Sequence, residues 1–328
     1  MPIHDTQVRR AGGHVAATRF ALLVEDGLRS FYTGGVAESL LADCERLGIP
    51  IDAADLAGYA AGIGNPLAIG YRGGHVLAMP GLYAGTSLAR GLGLLEGQTL
   101  EGKHPDAAAF AAYGQALLQA YRERLHQQGE AGGGNVPSCT SHLSVVDRHG
   151  NLVALTQTLL SSFGSKLLAP GTGLLLNNGL MWFDPRPGRA NSIAAGGRPL
   201  SNMCPALGLF GARRFALGAS GGRRILPAVL QLTSFLADFG MSLADAFAQP
   251  RIDVSGPELV TLDARLAPDI ERQFPAAVAT RRLAPQVNPL LFGCAGAVLD
   301  DAADGWRTGM TEPLQPAADA VAASGAGD

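Results

Sequence analysis

Cysteine is scarce: the 328 residues hold four, Cys44, Cys139, Cys204 and Cys294, and they stand far apart. No Cys-x-x-Cys or His-x-x-x-His spacing gathers ligands, so neither a zinc site nor another metal or cofactor is expected. Four scattered thiols read most simply as free, in a reducing compartment. Charge is sparse too. Only 16% of residues are charged, the formal net charge is -3, and no long basic run occurs. That removes the electrostatic footprint of a nucleic-acid or anionic-membrane partner and leaves small molecules. No apolar run approaches the roughly 18 residues of a membrane helix. The opening Met-Pro-Ile-His-Asp-Thr also lacks the basic and apolar regions of a signal peptide, so a soluble, cytoplasmic chain is expected. What is plentiful is apolar content, at 47%, enough to bury the core of one large or two smaller domains.

Taken in order, Val15 to Leu28 and Val36 to Leu47 carry helical periodicity on either side of Gly34-Gly35. Asp52 is placed to cap a short helix through Tyr59. Pro66 to Ile69 and His75 to Met79 read as strands, followed by a helix from about Ser87 to Leu95. Phe110, Tyr113, Leu117, Tyr121 and Leu125 recur on one side of a long helix. Glu130 to Ser138 is a Gly-rich linker, an ordinary loop or a segment that is cut. Further on, Ala206 to Phe210 and Arg214 to Leu217 form a second hairpin, and Ile225 to Phe239 a helix with Pro227 in its first turn. Short helices near Leu243 and Ala267 alternate with strands near Leu259 and Ala295.

Directly after the linker, Cys139 to Asp147 and Asn151 to Thr158 alternate with period two. Thr140, His142 and Ser144 point one way, Leu143 and Val145 the other. With Gly150 in a left-handed turn, Asp147 pairs with Asn151, which sets Thr158 opposite Thr140 and Thr156 opposite His142. Read alone, this is a strand pair with a solvated hydroxyl face.

Gly218-Ala219-Ser220-Gly221-Gly222 lies between a strand and a helix and satisfies Gly-x-Ser-x-Gly, the nucleophile elbow of serine hydrolases. That fold places its histidine after the serine, and all seven histidines here precede residue 150. Two readings stay open. The glycines are simply a tight turn, or Gly221 and Gly222 present amides at a helix N-terminus to a developing oxyanion.

Several separate segments resemble the gamma-glutamyltranspeptidase family of N-terminal-nucleophile hydrolases, across nearly the whole chain. Thr140-Ser141-His142-Leu143-Ser144-Val145-Val146-Asp147 is similar to the start of the family's small subunit. Asn177-Asn178, Arg198-Pro199-Leu200-Ser201 and Ser220-Gly221-Gly222-Arg223-Arg224-Ile225 follow in the family's order. Phe31 to Glu38, Ala54 to Tyr59 and Tyr71-Arg72-Gly73 resemble the end of its large subunit. The resemblance implies an α/β fold, the four-layer αββα sandwich. It also implies that the chain cuts itself at Cys139-Thr140, into segments 1–139 and 140–328 of one interleaved domain that stay together as a heterodimer.

By the same resemblance Thr140 is the nucleophile, its freed α-amine the base, Thr158 its hydroxyl partner, and Gly221 and Gly222 the oxyanion hole. Substrate-binding positions fall on Gly179, Trp182, Ser201 and Asn202. Leu160, Gly179 and Trp182 stand where the family has an asparagine, a glutamine and an aspartate; Ser201 is kept and its neighbour is Asn202. The chain begins partway through the family's large subunit, without the arginine that holds the substrate's α-carboxylate there. These departures resemble the branch of oxamate amidohydrolase and cephalosporin-acylase-like members. An amide hydrolase or acyltransferase on a γ-glutamyl-like or small acyl amide is therefore expected. The other class is a truncated or unprocessed relative with a structural or interaction role.

Overall fold

The computed structural model describes residues 20–129, 138–256, 258–287 and 291–323. They fall into two compact units: residues up to 65 with 161–178, and residues 66–160 with 179 onward. Most of the expected linker, residues 130–137, and the first part of the helix expected from Val15 lie outside the described residues.

In the smaller unit, residues 20–26 are helical and are followed by α1 (Ser30–Thr33), α2 (Gly35–Leu47) and α3 (Ala53–Gly58), with a small hairpin of β5 (Leu168–Ala169) and β6 (Leu174–Leu175). Asp52 caps α3 as expected: its carboxylate accepts from Asp55 N at 2.9 Å, and the Asp55 carboxylate returns the bond to Asp52 N at 3.0 Å. Leu40, Cys44 and Ala169 form the buried centre. Asp43, fully buried, accepts the Gly171 amide at 2.7 Å and pairs with Arg46, which ties α2 to the hairpin.

The larger unit is built on a six-stranded antiparallel sheet of order β1-β2-β7-β8-β12-β13. Its strands are β1 (Leu67–Tyr71), β2 (Gly74–Ala78), β7 (Ala206–Phe210), β8 (Arg213–Ser220), β12 (Cys294–Asp301) and β13 (Trp306–Thr311). Arg72 and Gly73, both at positive φ, form the two-residue turn that joins β1 to β2. One face of the sheet, with Phe215, Leu217, Ala219, Ala295 and Ala297, is buried in the core shared with α4 (Gly85–Glu96), α5 (Ala107–Gln128) and α6 (Ile225–Ala237). Asp106 caps α5 by accepting from Ala109 N at 2.9 Å. Beyond α7 (Leu243–Ala248), β9 (Ile252–Asp253), β10 (Leu259–Asp263) and β11 (Ala279–Leu283) make a second, three-stranded sheet. Among the described residues no helix is long and apolar enough to cross a membrane, and no cluster of His, Cys, Asp and Glu could hold a metal.

The sheet's other face carries the hairpin of β3 (Ser138–Val146) and β4 (Leu152–Ser161), which lies across β8 and β12. Gly150 sits at φ 78°, and the Thr140–Thr158 and His142–Thr156 contacts follow the expected register. Its orientation reverses the expectation of a solvated hydroxyl face. Thr140, His142 and Ser144 are half-buried, whereas Leu143, Val145, Val153 and Leu155 are each 44–49% exposed. The cause is a slot. Gly218 and Gly296 are paired partners on β8 and β12, and with no side chains between them the imidazole of His142 fills the space.

Candidate active site

Thr158 joins the two residues that flank the expected cleavage point. Thr140 Oγ1 donates to Thr158 Oγ1 at 3.1 Å, and Thr158 Oγ1 donates to the Cys139 carbonyl at 3.0 Å. The Leu160 amide also donates to Thr158 Oγ1, at 2.9 Å. A hydroxyl has one proton to give and two lone pairs, so this oxygen is fully used and its orientation is fixed. Leu160 reaches back from a left-handed backbone, φ 75°, a conformation that costs a non-glycine residue about 1 kcal/mol or more.

Two residues further along each strand, His142 Nδ1 meets Thr156 Oγ1 at 2.8 Å and Nε2 meets Ser144 Oγ at 2.9 Å. Burial pushes the imidazole pKa down to about 4, so the ring is neutral at ordinary pH. Ser144 Oγ in turn reaches the Gly296 carbonyl at 3.5 Å. The hydroxyl face is thus a ladder fixed to the sheet beneath it.

Strand β8 runs from Gly218, beneath His142, to Ser220 and then to Gly221 at φ 129° and Gly222 at φ 63°. A Cβ on Gly221 would lie 3.3 Å from Gly293 Cα, so the turn packs backbone on backbone. The first bond of the helical turn that follows is Arg224 N to Gly221 O, and α6 begins at Ile225. The amides of Gly221 and Gly222 precede that bond, at the positive end of a helix.

Gly179 and Trp182 begin and end one 3-10 turn, with Trp182 half-buried. Ser201 is buried, and Asn202 beside it is half-buried. A residue the motif reading passed over brings this pair of segments together. Asn191, 5% exposed, donates from Nδ2 to the Trp182 carbonyl at 2.6 Å and accepts from Leu200 N at 2.9 Å. Arg124 was passed over as well; from α5 its Nη2 donates to the Ser201 carbonyl at 2.7 Å. Both act on backbone carbonyls, which leave no mark in a sequence motif.

The family model for gamma-glutamyltranspeptidase matches residues 13–138 and 126–316. The Acylase ACY 1 proenzyme of Pseudomonas sp. (strain SE83) is 31% identical over 307 residues, 82% of this chain and 53% of that protein. The Glutathione hydrolase proenzyme of Escherichia coli (strain K12) is 29% identical over 72% of this chain and 49% of its own length. The chain therefore spans about half the length of the curated relatives it matches. Among solved structures, cephalosporin acylase from Bacillus halodurans superposes with a TM-score of 0.78 at 21% identity, over 92% of this chain and 61% of the other. That likeness is one of fold, and it agrees with the expected αββα architecture of the N-terminal-nucleophile hydrolases. With the family model matched along most of its length, the chain belongs to the gamma-glutamyltranspeptidase family.

Proposed function

We propose that this protein cuts its own Cys139-Thr140 bond and then uses Thr140 to hydrolyse, or transfer the acyl group of, a small amide. The observation that carries the reading is the Thr158 hydroxyl held between Thr140 Oγ1 and the Cys139 carbonyl. As Thr140 Oγ attacks the Cys139 carbonyl carbon, its proton passes to Thr158 while the Thr158 proton passes to the carbonyl oxygen. No net charge develops on the carbonyl oxygen. Collapse breaks the C–N bond, the nitrogen takes up a proton, and the acyl group rests on Thr140 Oγ as an ester that water hydrolyses. The freed α-amine, with a reference pKa of about 8, then serves as the base for the same hydroxyl. Gly221 and Gly222 stabilise the oxyanion formed on the substrate carbonyl.

Amidohydrolase activity on a small acyl amide is favoured over true glutathione hydrolysis. Leu160, Gly179 and Trp182 offer no carboxylate for a substrate α-amine, and an unpaired buried ammonium costs several kcal/mol. The acylase relative, at 31% identity, supports the same preference. Intact-mass measurement of the purified chain tests the first step: the wild type yields two pieces, and Thr140→Ala yields one. A single uncut wild-type chain would sink the catalytic reading in favour of a structural role. Turnover of a γ-glutamyl anilide, a glutaryl amide and oxamate then separates the substrates, with the γ-glutamyl compound expected to be the poorest.

A further inference from the structure

Tyr121 belongs to the apolar stripe of α5 and is 4% exposed, so its ring is part of the core. The hydroxyl at its tip does something more. Tyr121 Oη donates to the carbonyl of Arg223, the residue directly after Gly222. Burial raises the phenol pKa, so the donated proton stays in place across any ordinary pH. The sequence explains why a side chain donates here. An α-helix pairs each carbonyl with the amide four residues on, which for Arg223 is that of residue 227. That residue is Pro227, and proline has no amide hydrogen. The Tyr121 hydroxyl therefore takes the place of a helix bond, where the glycine turn passes into α6.

Within the turn, Arg224 N donates to Gly221 O at 3.3 Å and Ile225 N donates to Gly222 O. Both bonds move with the turn and cannot aim it. Gly221 packs against Gly293 Cα, which bars movement in that direction alone. Tyr121 ties the same turn to a separate element. That element is itself anchored one helical turn further on, where Arg124 Nη2 donates to the Ser201 carbonyl at 2.7 Å and Nη1 to Ser87 Oγ of α4 at 3.4 Å. The hydroxyl thus reaches the turn from a fixed frame.

We propose that Tyr121 is a positioning residue for the oxyanion donors: its hydroxyl replaces the helix bond that Pro227 cannot make, and so fixes the direction of the Gly221 and Gly222 amides. Oxyanion donors act through being aimed in advance, so a turn free to swing loses rate without losing its amides. Tyr121 lies in segment 1–139 and the glycines in 140–328. The segment without the nucleophile would then help to build the site. The consequence for turnover rests on the catalytic reading above, but the hold of Tyr121 on the turn does not.

Amide hydrogen exchange on the full-length Thr140→Ala chain reads the turn without the chemistry. Tyr121→Phe keeps the ring and removes the donor. It should speed exchange of the Arg224 and Ile225 amides by about tenfold or more, while β8 and the rest of α5 keep their rates. Adding Pro227→Ala supplies an amide at residue 227 and should return most of the protection, which repair of lost packing would not explain. Unchanged exchange at the turn, equal acceleration across β8 and α5, or no return with Pro227→Ala overturns the proposal. In the self-cleaved enzyme, on the fastest amide of the panel, Tyr121→Phe should lower kcat by about tenfold or more and leave KM within about twofold. An unchanged kcat, with or without a higher KM, also overturns it. If the wild type stays uncut while exchange responds as expected, the catalytic reading falls and the hold of Tyr121 on the turn stands.

Discussion

At residue scale, Thr158 is the most exposed to test, because three hydrogen bonds converge on one oxygen. Thr158→Val keeps the shape and removes the relay, so cleavage at Cys139-Thr140 should slow by at least about 10²-fold, the usual scale of acid–base assistance. Thr158→Ser should cleave near the wild-type rate. A time course of intact mass after synthesis decides, and a Val variant that cleaves normally would refute the relay. The Thr140–Thr158 pair was legible because strand register is arithmetic on sequence positions. Asn191 and Arg124 were not, since they act on carbonyls whose direction only the folded loops define. Two buried titrating groups make a second prediction. His142 has its pKa lowered by burial from 6.5 to about 4. Between those values the unfolded chain holds more protons than the folded one, so His142's contribution is complete above pH 6.5 and is lost as pH falls toward 4. Asp253, also buried, has its pKa raised by burial from 3.8 to about 6. Its contribution is complete below 3.8 and is lost as pH rises through 6. Each is worth at most about 3 kcal/mol. Because they oppose one another between pH 4 and 6, their effects in the wild type largely cancel there. Urea unfolding across that window should show Asp253→Asn losing stability more steeply on acidification than the wild type, and His142→Asn losing it less steeply or gaining it. Parallel profiles for all three would refute both assignments.

At the scale of elements, the hairpin depends on the pair of glycines beneath it. A Cβ on Gly218 would collide with the His142 ring, whereas one on Gly296 would stand 3.7 Å from that ring, an ordinary contact. Gly218→Ala should therefore cost about 1 to 3 kcal/mol and slow self-cleavage, as the ring is forced off Thr156 and the strand with it. Gly296→Ala should leave both nearly unchanged. Thermal unfolding with the same mass assay compares the pair, and equal effects would show that the slot does not hold the hairpin. Sequence reasoning found this hairpin and its turn, and the solvated hydroxyl face was only the reading of the hairpin taken alone. Period-two alternation separates two faces without saying which one meets the sheet. Here the absent side chains of Gly218 and Gly296, about 75 and 150 residues downstream of His142, made the choice. Elements with strong caps or long apolar periodicity were read well, as with Asp52 before α3 and the α5 stripe of Phe110, Tyr113, Leu117 and Tyr121. Strand β13 was missed. Trp306 to Gly309 are exposed on the sheet's edge, so its residues follow no burial pattern, and its place is set by pairing with β12.

The whole molecule adds a constraint that neither scale below it supplies. Strands β1 and β2 precede Thr140 and the remaining four strands of the main sheet follow it, so the sheet is continuous across the expected cut. Four residue pairs join β2 to β7, from His75 with Leu209 to Ala78 with Ala206. Below the sheet, Leu88 and Leu92 of α4 and Tyr113 and Leu117 of α5 share one core with Val229, Leu232 and Phe235 of α6, and Tyr113 Oη meets Ser234 Oγ at 2.8 Å. Cleavage at Cys139-Thr140 would sever the chain near the start of β3 and leave every one of these contacts intact. Segments of 139 and 189 residues should accordingly elute as one species in native size-exclusion chromatography, and separate only in denaturant. Expressed alone, 140–328 should be insoluble, because β7 would present an open edge and α6 would lose the apolar surface it shares with α4 and α5. Coexpression of 1–139 with 140–328 should recover soluble material containing both. A 140–328 segment that is folded and monomeric on its own would show that the junction between β2 and β7 is not part of one cooperative core. The pairing would then be an interface between two independently stable pieces.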